Sequence, residues 1–267
     1  DTVAKYAADY GMRLRGHTLL WHHKQGTPGW VFQEADGSPA SRATVSTRLR
    51  EHIFTVMQRY KGRIESWDVA NEAVNPNEGE DPLRESAWRT ALGMSFLEQV
   101  FCMAHEADPE ARLFYNDYGT FWPGKRERIA NLLRQLKGAG VPIHGVGMQL
   151  HYAVTYDTDE VRKTLEAFAA LDLDIEITEL DVSIYAGNDE HFTSAPADRI
   201  VQQADVYGRL FDLFREYRAH ITGVTFWNVA DDRTWLDNHP VKGRKNWPLL
   251  FDEYHKPKRA FFRVVNG

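Results

Sequence analysis

The feature that most constrains the fold is a strict alternation of short apolar stretches with longer amphipathic ones. Strand-like segments, each followed by a helical pattern, recur along the 267 residues, and no internal repeat or linker interrupts them. Alternation of this kind predicts a parallel sheet covered by helices. The six strand-like segments are 13–23, 64–72, 112–117, 145–151, 174–181 and 221–227.

Two of these segments end in acidic residues. The stretch 175–181 begins apolar and β-branched and ends in Glu179 and Asp181, and the stretch 67–72 ends in Glu72. In parallel α/β architectures, ligands bind at the C-terminal ends of the strands. A single glutamate there is more often a solvated loop residue or half of an ion pair. Two carboxylates facing one cleft, however, are the minimal equipment for cutting a glycosidic bond.

Two architectures compete for this pattern, a (β/α)₈ barrel and an open doubly wound sheet. No GxGxxG-type phosphate fingerprint follows any strand, which weakens a nucleotide-binding sheet. Functional-looking residues end nearly every strand, which favours the TIM barrel. A barrel needs eight strands, and the chain opens on a helix over 1–10 with no strand before it. We therefore expect an α/β TIM (β/α)₈ barrel of which only strands 3–8 and their helices are present.

Composition excludes several other classes. The net charge of −6 argues against a nucleic-acid partner. No stretch approaches the ~20 apolar residues that span a bilayer. No His, Cys and Asp cluster has metal-site spacing, so we expect neither a catalytic metal nor a cofactor. The lone Cys102 falls in a helical pattern and is predicted to be a small core residue. Eight tryptophans are available to pack the core or to stack on sugar rings.

Several motifs together resemble glycoside hydrolase family 10, whose members are (β/α)₈ endo-β-1,4-xylanases. The resemblance runs from the first residue to about Arg263, so residues 1–267 are predicted to be the C-terminal portion of one such catalytic domain. The motifs, in chain order, are RGHTLLWH (15–22), WDVANEA (67–73), NDY (116–118), GMQLH (147–151), ITELD (177–181) and FW (226–227) through WL (235–236).

The resemblance implies roles for the two glutamates. Glu72 matches the general acid/base and Glu179 the nucleophile of a double displacement. Retaining enzymes hold the two carboxyls about 5–5.5 Å apart and inverting enzymes about 6.5–9.5 Å apart, so we expect the short separation. Glu179 would attack the anomeric carbon. Glu72 would protonate the leaving oxygen and then deprotonate the water that frees the sugar.

The resemblance also implies a substrate-binding shell, although each member taken singly is as often a packing residue. His17, Trp21 and His22 match residues that line the glycone side, and Asn71 matches the amide that binds the sugar 2-hydroxyl. Asn116 and Tyr118 match residues that reach the leaving-group side, and Gln149 and His151 match a pair near the nucleophile. Trp227 and Trp235 match the two aromatic walls that flank the cleavage point. His151 is the candidate donor to Glu179.

The family's first strand carries a Glu-Asn…Lys set that binds the glycone sugar, and this sequence has no match to it. Three explanations stay open: a segment missing from the sequence, a separate N-terminal fragment completing the barrel, or a divergent protein that has lost activity. Some members carry a carbohydrate-binding module inserted early in the barrel, and clipping there would produce a two-piece enzyme. We favour a missing or separate N-terminal piece, because both carboxylates and their shell are present.

The leading hypothesis is a retaining endo-β-1,4-xylanase whose partner is xylan or a xylo-oligosaccharide. A non-catalytic xylan-binding remnant of a barrel is one alternative, and whether anything supplies the first two strands discriminates it. An endo-β-1,4-glucanase is another, and it needs room for the hydroxymethyl group that glucose has and xylose lacks. No signal peptide is visible. The polymeric substrate points to an extracellular or periplasmic location.

Overall fold

The computed structural model describes residues 1–23, 26–77, 79 and 81–266. Contacts along the chain divide it into two compact units. The first comprises Asp1–Asp117 with Gly124–Gly147, and the second comprises Tyr118–Pro123 with Met148–Gly267. The prediction of a single domain over 1–267 stays a prediction.

The strands of the first unit are β1 (Arg15–Trp21), β2 (Ser66–Asn71) and β3 (Arg112–Tyr118). β2 pairs in parallel with β1 and with β3. Every residue of β2 is buried, as expected of a strand covered on both faces. The register sets Trp21 beside Asn71 and Asn71 beside Asn116. The polar residues predicted at these strand ends therefore lie level with one another.

The helices of the first unit are α1 (Thr2–Asp9), α2 (Arg42–Tyr60), α3 (Ala87–Leu92), α4 (Phe96–Ala107) and α5 (Pro123–Gly138). The Ser41 hydroxyl caps α2 by accepting the Thr44 N–H. The spacing of Val45, Leu49, Ile53 and Val56 in the sequence predicts an apolar stripe on this helix. The first three of these residues are buried, but the stripe continues at Met57 instead of Val56.

Three details of the helical predictions were wrong. The sequence pattern over 85–107 predicts one helix, but the structure divides it into α3 and α4 at Gly93, whose φ of 80° is positive. Cys102 is exposed on α4 and is not a core residue. The spacing of Val3, Tyr6, Ala7 and Tyr10 predicts an apolar face on α1. Of these residues only Ala7 is buried, together with Ala4, whereas the larger Val3, Tyr6 and Tyr10 are exposed.

The strands of the second unit are the end of β4 (Gly145–Gln149), β5 (His151–Ala153), β6 (Asp174–Ser183) and β7 (Ile221–Phe226). β6 pairs in parallel with β5 and with β7, and its eight central residues are buried. The predicted strand 145–151 is therefore two strands that part at Leu150, whose carbonyl accepts the Asp181 N–H. The described residues hold seven strands where the sequence pattern predicts six.

The helices of the second unit are α6 (Thr158–Ala169), α7 (Ala197–Glu216) and α8 (Arg259–Val265). The Asp157 carboxylate caps α6 by accepting the Asp159 N–H. The register of β5 against β6 sets His151 beside Asp181. Among the described residues, no helix combines the length and the apolar character that a membrane crossing requires.

Candidate active site

Glu72 lies immediately after β2 in an uncommon backbone conformation. Its φ is 59°, in the left-handed region that L-residues seldom occupy and that is often found at functional sites. The Glu72 N–H donates to the Asn116 carbonyl (2.9 Å), and the Glu72 carbonyl accepts a hydrogen bond from Arg84 Nε (2.8 Å). The peptide groups on both sides of the Glu72 α-carbon are therefore fixed, and the half-buried side chain projects from the end of the strand.

Two buried amides continue from Glu72 into the strands. Asn116 donates from Nδ2 to Asn71 Oδ1 (2.9 Å), which leaves the Asn71 amide nitrogen directed toward Glu72. Asn71 Nδ2 donates to Glu72 Oε1 (3.3 Å). The structure thus brings together three predicted site residues: Glu72, Asn71 and Asn116.

Strand β1 contributes His17 near its start and Trp21 at its end, and His22 follows directly after the strand. His17 donates from Nδ1 to Asp68 Oδ2 (2.9 Å), and Asp68 is in turn held by the Arg15 guanidinium. Burial lowers the pKa of His22, and the positive charge of Arg84 lowers it further, so the ring is neutral at neutral pH.

Two buried nitrogen atoms at this strand end meet no hydrogen-bond partner within the described ranges, Trp21 Nε1 and His22 Nδ1. Buried polar atoms are nearly always paired in folded proteins, so such atoms indicate a place for a polar ligand or water. A sugar hydroxyl, which both donates and accepts, fits this requirement.

Glu179 lies on β6 and is 5% exposed. His151 bridges it to Asp181: the ring donates from Nε2 to Glu179 Oε2 (3.2 Å) and from Nδ1 to Asp181 Oδ2 (3.0 Å). Trp235 donates from Nε1 to the same Asp181 oxygen (2.9 Å). The predicted contact between His151 and Glu179 is therefore present.

The charge state of His151 follows from its two carboxylate neighbours. Burial by itself would lower the pKa of His151, but the negative charges and hydrogen bonds of Asp181 and Glu179 outweigh burial and raise it to about 9. Both ring nitrogens consequently carry hydrogen at neutral pH. The cation fixes Glu179 by a charge-assisted hydrogen bond.

Aromatic side chains surround this histidine. The Trp235 ring meets the His151 ring edge to face, with the ring centroids 4.7 Å apart, and the centroid of the Trp227 ring lies 6.3 Å from that of His151. Both indoles keep more than a third of their surface exposed, which makes their faces available to a sugar ring. His239 stacks on Trp235 at 4.8 Å.

Two further predicted residues of the second unit lie at neighbouring strand ends. Gln149 is 3% exposed at the end of β4. Tyr118, which ends β3, is half-buried and meets Trp122 edge to face at 5.8 Å.

The sequence pattern did not identify several residues that hold the site. Asp181 marked a strand end but was given no role, although its two-residue spacing from Glu179 puts both side chains on one face of the strand. Arg84 and Asp68 carried no signal, because an Arg in a loop and an Asp within a strand have many uses. No group of three His, Cys, Asp or Glu within the described ranges is arranged to hold a metal ion.

Comparison with known proteins identifies the family. The model of the family described as "Glycosyl hydrolase family 10" matches residues 1–267. The chain belongs to glycosyl hydrolase family 10. The resemblance drawn from the sequence motifs is thereby confirmed.

The family 10 relatives are similar over nearly the whole chain. An endo-1,4-beta-xylanase from Geobacillus stearothermophilus is 52% identical over 95% of this chain and 77% of its own length. Endo-1,4-beta-xylanase B from Paenibacillus barcinonensis is 47% identical over 99% of this chain and 80% of its own length.

Solved family 10 structures agree with the fold. A Paenibacillus barcinonensis xylanase complexed with a conduramine derivative has a TM-score of 0.95 and 47% identity, covering 98% of this chain and 80% of that one. A mutant structure in complex with xylotriose has a TM-score of 0.95 and 42% identity, covering 100% of this chain and 81% of that one. The predicted class, an α/β TIM barrel, is confirmed, whereas the detail that only strands 3–8 are present stays a prediction.

Proposed function

We propose that this family 10 protein is a retaining endo-1,4-β-xylanase that cleaves internal β-1,4-xylosidic bonds of xylan by double displacement. The observation that carries the proposal is family membership with xylanases at 52% and 47% identity along nearly the whole chain. The alternatives, a glucanase or a non-catalytic xylan-binding remnant, have no comparable observation in their favour.

Glu179 is the nucleophile of this proposal. Its carboxylate attacks the anomeric carbon and the glycosidic oxygen leaves, which produces a covalent glycosyl-enzyme. His151 supports the assignment because its ring donates to one Glu179 oxygen and is itself oriented by Asp181. An oriented cation of this kind holds the carboxylate in one rotamer for attack.

Glu72 is the general acid/base. It gives a proton to the leaving oxygen in the first step and takes one from water in the second, as reversibility of the mechanism requires. Fixed peptide groups on both sides and the Asn71 amide on Oε1 support this role. Asn71 is placed to bind the sugar 2-hydroxyl, a contact that strengthens in the transition state.

The remaining predicted residues form the binding shell. Trp227 and Trp235 offer exposed aromatic faces to the sugar rings. The Trp21 and His22 nitrogens that meet no partner among the described residues suit sugar hydroxyls. Four further side chains complete the proposed contacts: His17, Asn116, Tyr118 and Gln149.

Trapping the covalent intermediate tests the nucleophile. Fluorine at C2 of a xylobioside slows both steps, because it destabilises both oxocarbenium-like transition states. A good leaving group speeds only the first step, so the intermediate forms faster than it is hydrolysed. We expect mass spectrometry of the digested protein to place the label on Glu179, and Glu179→Gln to take up none. A label on another carboxylate would overturn the assignment.

Substrate class is tested by comparing hydrolysis of xylan with hydrolysis of a soluble cellulose derivative. We expect xylan to be cleaved far faster. Equal or reversed rates would favour the glucanase, and binding of xylan without any hydrolysis would favour the non-catalytic protein.

Two further proposals concern the protein's setting. Because xylan is a polymer too large to enter a cell, we place the activity in the extracellular space or the periplasm. Detection of the native protein only in the cytoplasmic fraction would contradict this location. The separate N-terminal fragment or inserted carbohydrate-binding module stays a prediction, and intact-mass analysis of the native protein tests it.

A further inference from the structure

A buried charged cluster next to the Glu72 turn has no part in the mechanism given above. The anchor cluster consists of Tyr115, Asp117 and Lys125. Lys125 donates from Nζ to Asp117 Oδ1 (2.7 Å), and neither side chain has exposed surface. The Tyr115 hydroxyl donates to the other carboxylate oxygen, Oδ2. Burying an ion pair is costly, so this one invites a functional explanation.

The cluster fixes the direction of the Tyr115 hydroxyl. Burial and the charge of Asp117 raise the pKa of Tyr115 well above its usual value, so the hydroxyl keeps its hydrogen and donates it to Asp117. A lone pair of the oxygen is then left to accept the Val74 N–H, at 3.0 Å. Lys125 holds Asp117 from the other side, so the three side chains form one rigid acceptor for the Val74 peptide.

Val74 is only two residues beyond Glu72, and the segment 72–74 is held at three points. Asn116 accepts the Glu72 N–H, Arg84 donates to the Glu72 carbonyl, and Tyr115 accepts the Val74 N–H. The left-handed conformation of Glu72 (φ 59°) is disfavoured for L-residues and persists only where the surroundings over-determine it. Tyr115 supplies the contact on the C-terminal side of this turn.

We propose that Tyr115, held by Asp117 and Lys125, is a positioning residue that sets the direction of the Glu72 carboxyl. The inference rests on the acid/base role of Glu72 proposed above. A general acid acts only within hydrogen-bond reach of the atom it protonates, and misplacement by about 1 Å costs on the order of 100-fold in rate. Loosening the turn should therefore slow the steps in which Glu72 transfers a proton.

Leaving-group chemistry distinguishes this role from a general effect on folding. An alkoxide or weakly acidic phenolate needs a proton from Glu72 as its bond to the anomeric carbon breaks. A nitro-substituted phenolate leaves as the anion without help. Because kcat/KM reports the first irreversible step, a misplaced acid lowers kcat/KM only for substrates with poor leaving groups.

The test compares Tyr115→Phe with Tyr207→Phe on a series of aryl β-xylobiosides. Tyr207 is a matched control: it is equally buried, and its hydroxyl donates to a backbone carbonyl, that of Pro248, at 2.7 Å. For Tyr115→Phe we expect kcat/KM to fall about tenfold or more on xylobiosides of unactivated phenols. On the dinitrophenyl xylobioside the fall should be less than about twofold. Tyr207→Phe should show no dependence on the leaving group.

Glu72→Ala, measured in parallel, separates the two proposals. It should show the same leaving-group dependence with a larger loss, on the order of 10²–10⁴-fold for poor leaving groups. If Glu72→Ala behaves this way but Tyr115→Phe lowers kcat/KM equally for all substrates, or for none, the positioning role is overturned and the acid/base role stands. If Glu72→Ala itself shows no such dependence, the acid/base assignment fails, and the inference fails with it.

A folding failure of Tyr115→Phe is covered by a second variant. The double substitution Asp117→Asn and Lys125→Met removes both buried charges with little change in volume, a type of exchange that proteins often tolerate. The Tyr115 hydroxyl then donates to an amide, which is a weaker acceptor than the carboxylate. We therefore expect kcat/KM to fall in a way that depends on the leaving group and by less than for Glu72→Ala. A loss equal for all leaving groups would again overturn the positioning role.

Discussion

Replacing Asp181 with asparagine removes the carboxylate that contributes most to keeping His151 protonated. The structure holds this ring 3.0 Å from Asp181 and 3.2 Å from Glu179. Burial opposes the charge on the ring, but the two carboxylates raise the pKa of His151 from 6.5 to about 9. That difference corresponds to about 3 kcal/mol in favour of the charged ring.

The sign of the pH dependence follows from linkage. The pKa of His151 is raised in the folded state, so its stabilisation is fully present below the unfolded value of 6.5 and is lost as the pH rises through about 9. The wild-type protein should therefore exceed Asp181→Asn in free energy of unfolding near pH 6 by the share of that ~3 kcal/mol that Asp181 supplies, because Glu179 still raises the pKa of His151 in the variant. The excess should shrink as the pH rises through about 9.

Urea unfolding of both proteins at several pH values between these limits measures this excess. Groups that titrate identically in the two proteins cancel in the difference, so only the histidine and its partners contribute. An excess that stays constant across the range would mean that Asp181 does not hold His151 as a cation.

Other substitutions test separate contacts. Trp235→Phe keeps an aromatic wall but loses the indole N–H that binds the same carboxylate, so we expect kcat on xylan to fall while KM changes less than about twofold in steady-state assays. Lys258→Met leaves Asp231 buried without its 2.8 Å ion-pair partner and should lower the free energy of unfolding by about 3–5 kcal/mol in urea. Gly16→Ala would place a Cβ 2.1 Å from the Trp67 ring, and calorimetry should show a loss of about 1–3 kcal/mol.

The strand ends of the site were predictable because two local signals coincide there. A short apolar stretch followed by a polar residue, as at Glu72, marks a strand end in a parallel sheet. At Glu179 the same pattern placed the residue on the right strand but ended the strand too early, because β6 continues to Ser183. The placement of Asn71 beside Asn116 follows from the same pattern, since parallel strands end at one edge.

Contacts set by register and by distant segments were not predictable. Asp181 holds His151 because β5 and β6 pair in one particular register, which no local pattern encodes. Lys125 lies in an amphipathic helix where a lysine is normally solvated, yet it is fully buried against Asp117. Arg84 reaches Glu72 from a loop. Such residues become recognisable only once their partners are in place.

Which face of a helix is buried was equally hard to predict from the sequence. The spacing of Val3, Tyr6 and Tyr10 predicts an amphipathic helix, and α1 forms, but which side is covered depends on what packs against it. The break at Gly93, in contrast, had a local signal, because glycine is the usual residue in the left-handed position that ends a helix.

Proton NMR of the anomer first released when the purified protein hydrolyses a xylo-oligosaccharide tests whether the reaction proceeds by double displacement. Double displacement through Glu179 and Glu72 predicts that the β-anomer appears first and only later equilibrates with the α-anomer. Glu179→Ala should abolish its release, and Glu72→Ala should slow it on the order of 10²–10⁴-fold. Initial release of the α-anomer, or unchanged release by either variant, would contradict the account.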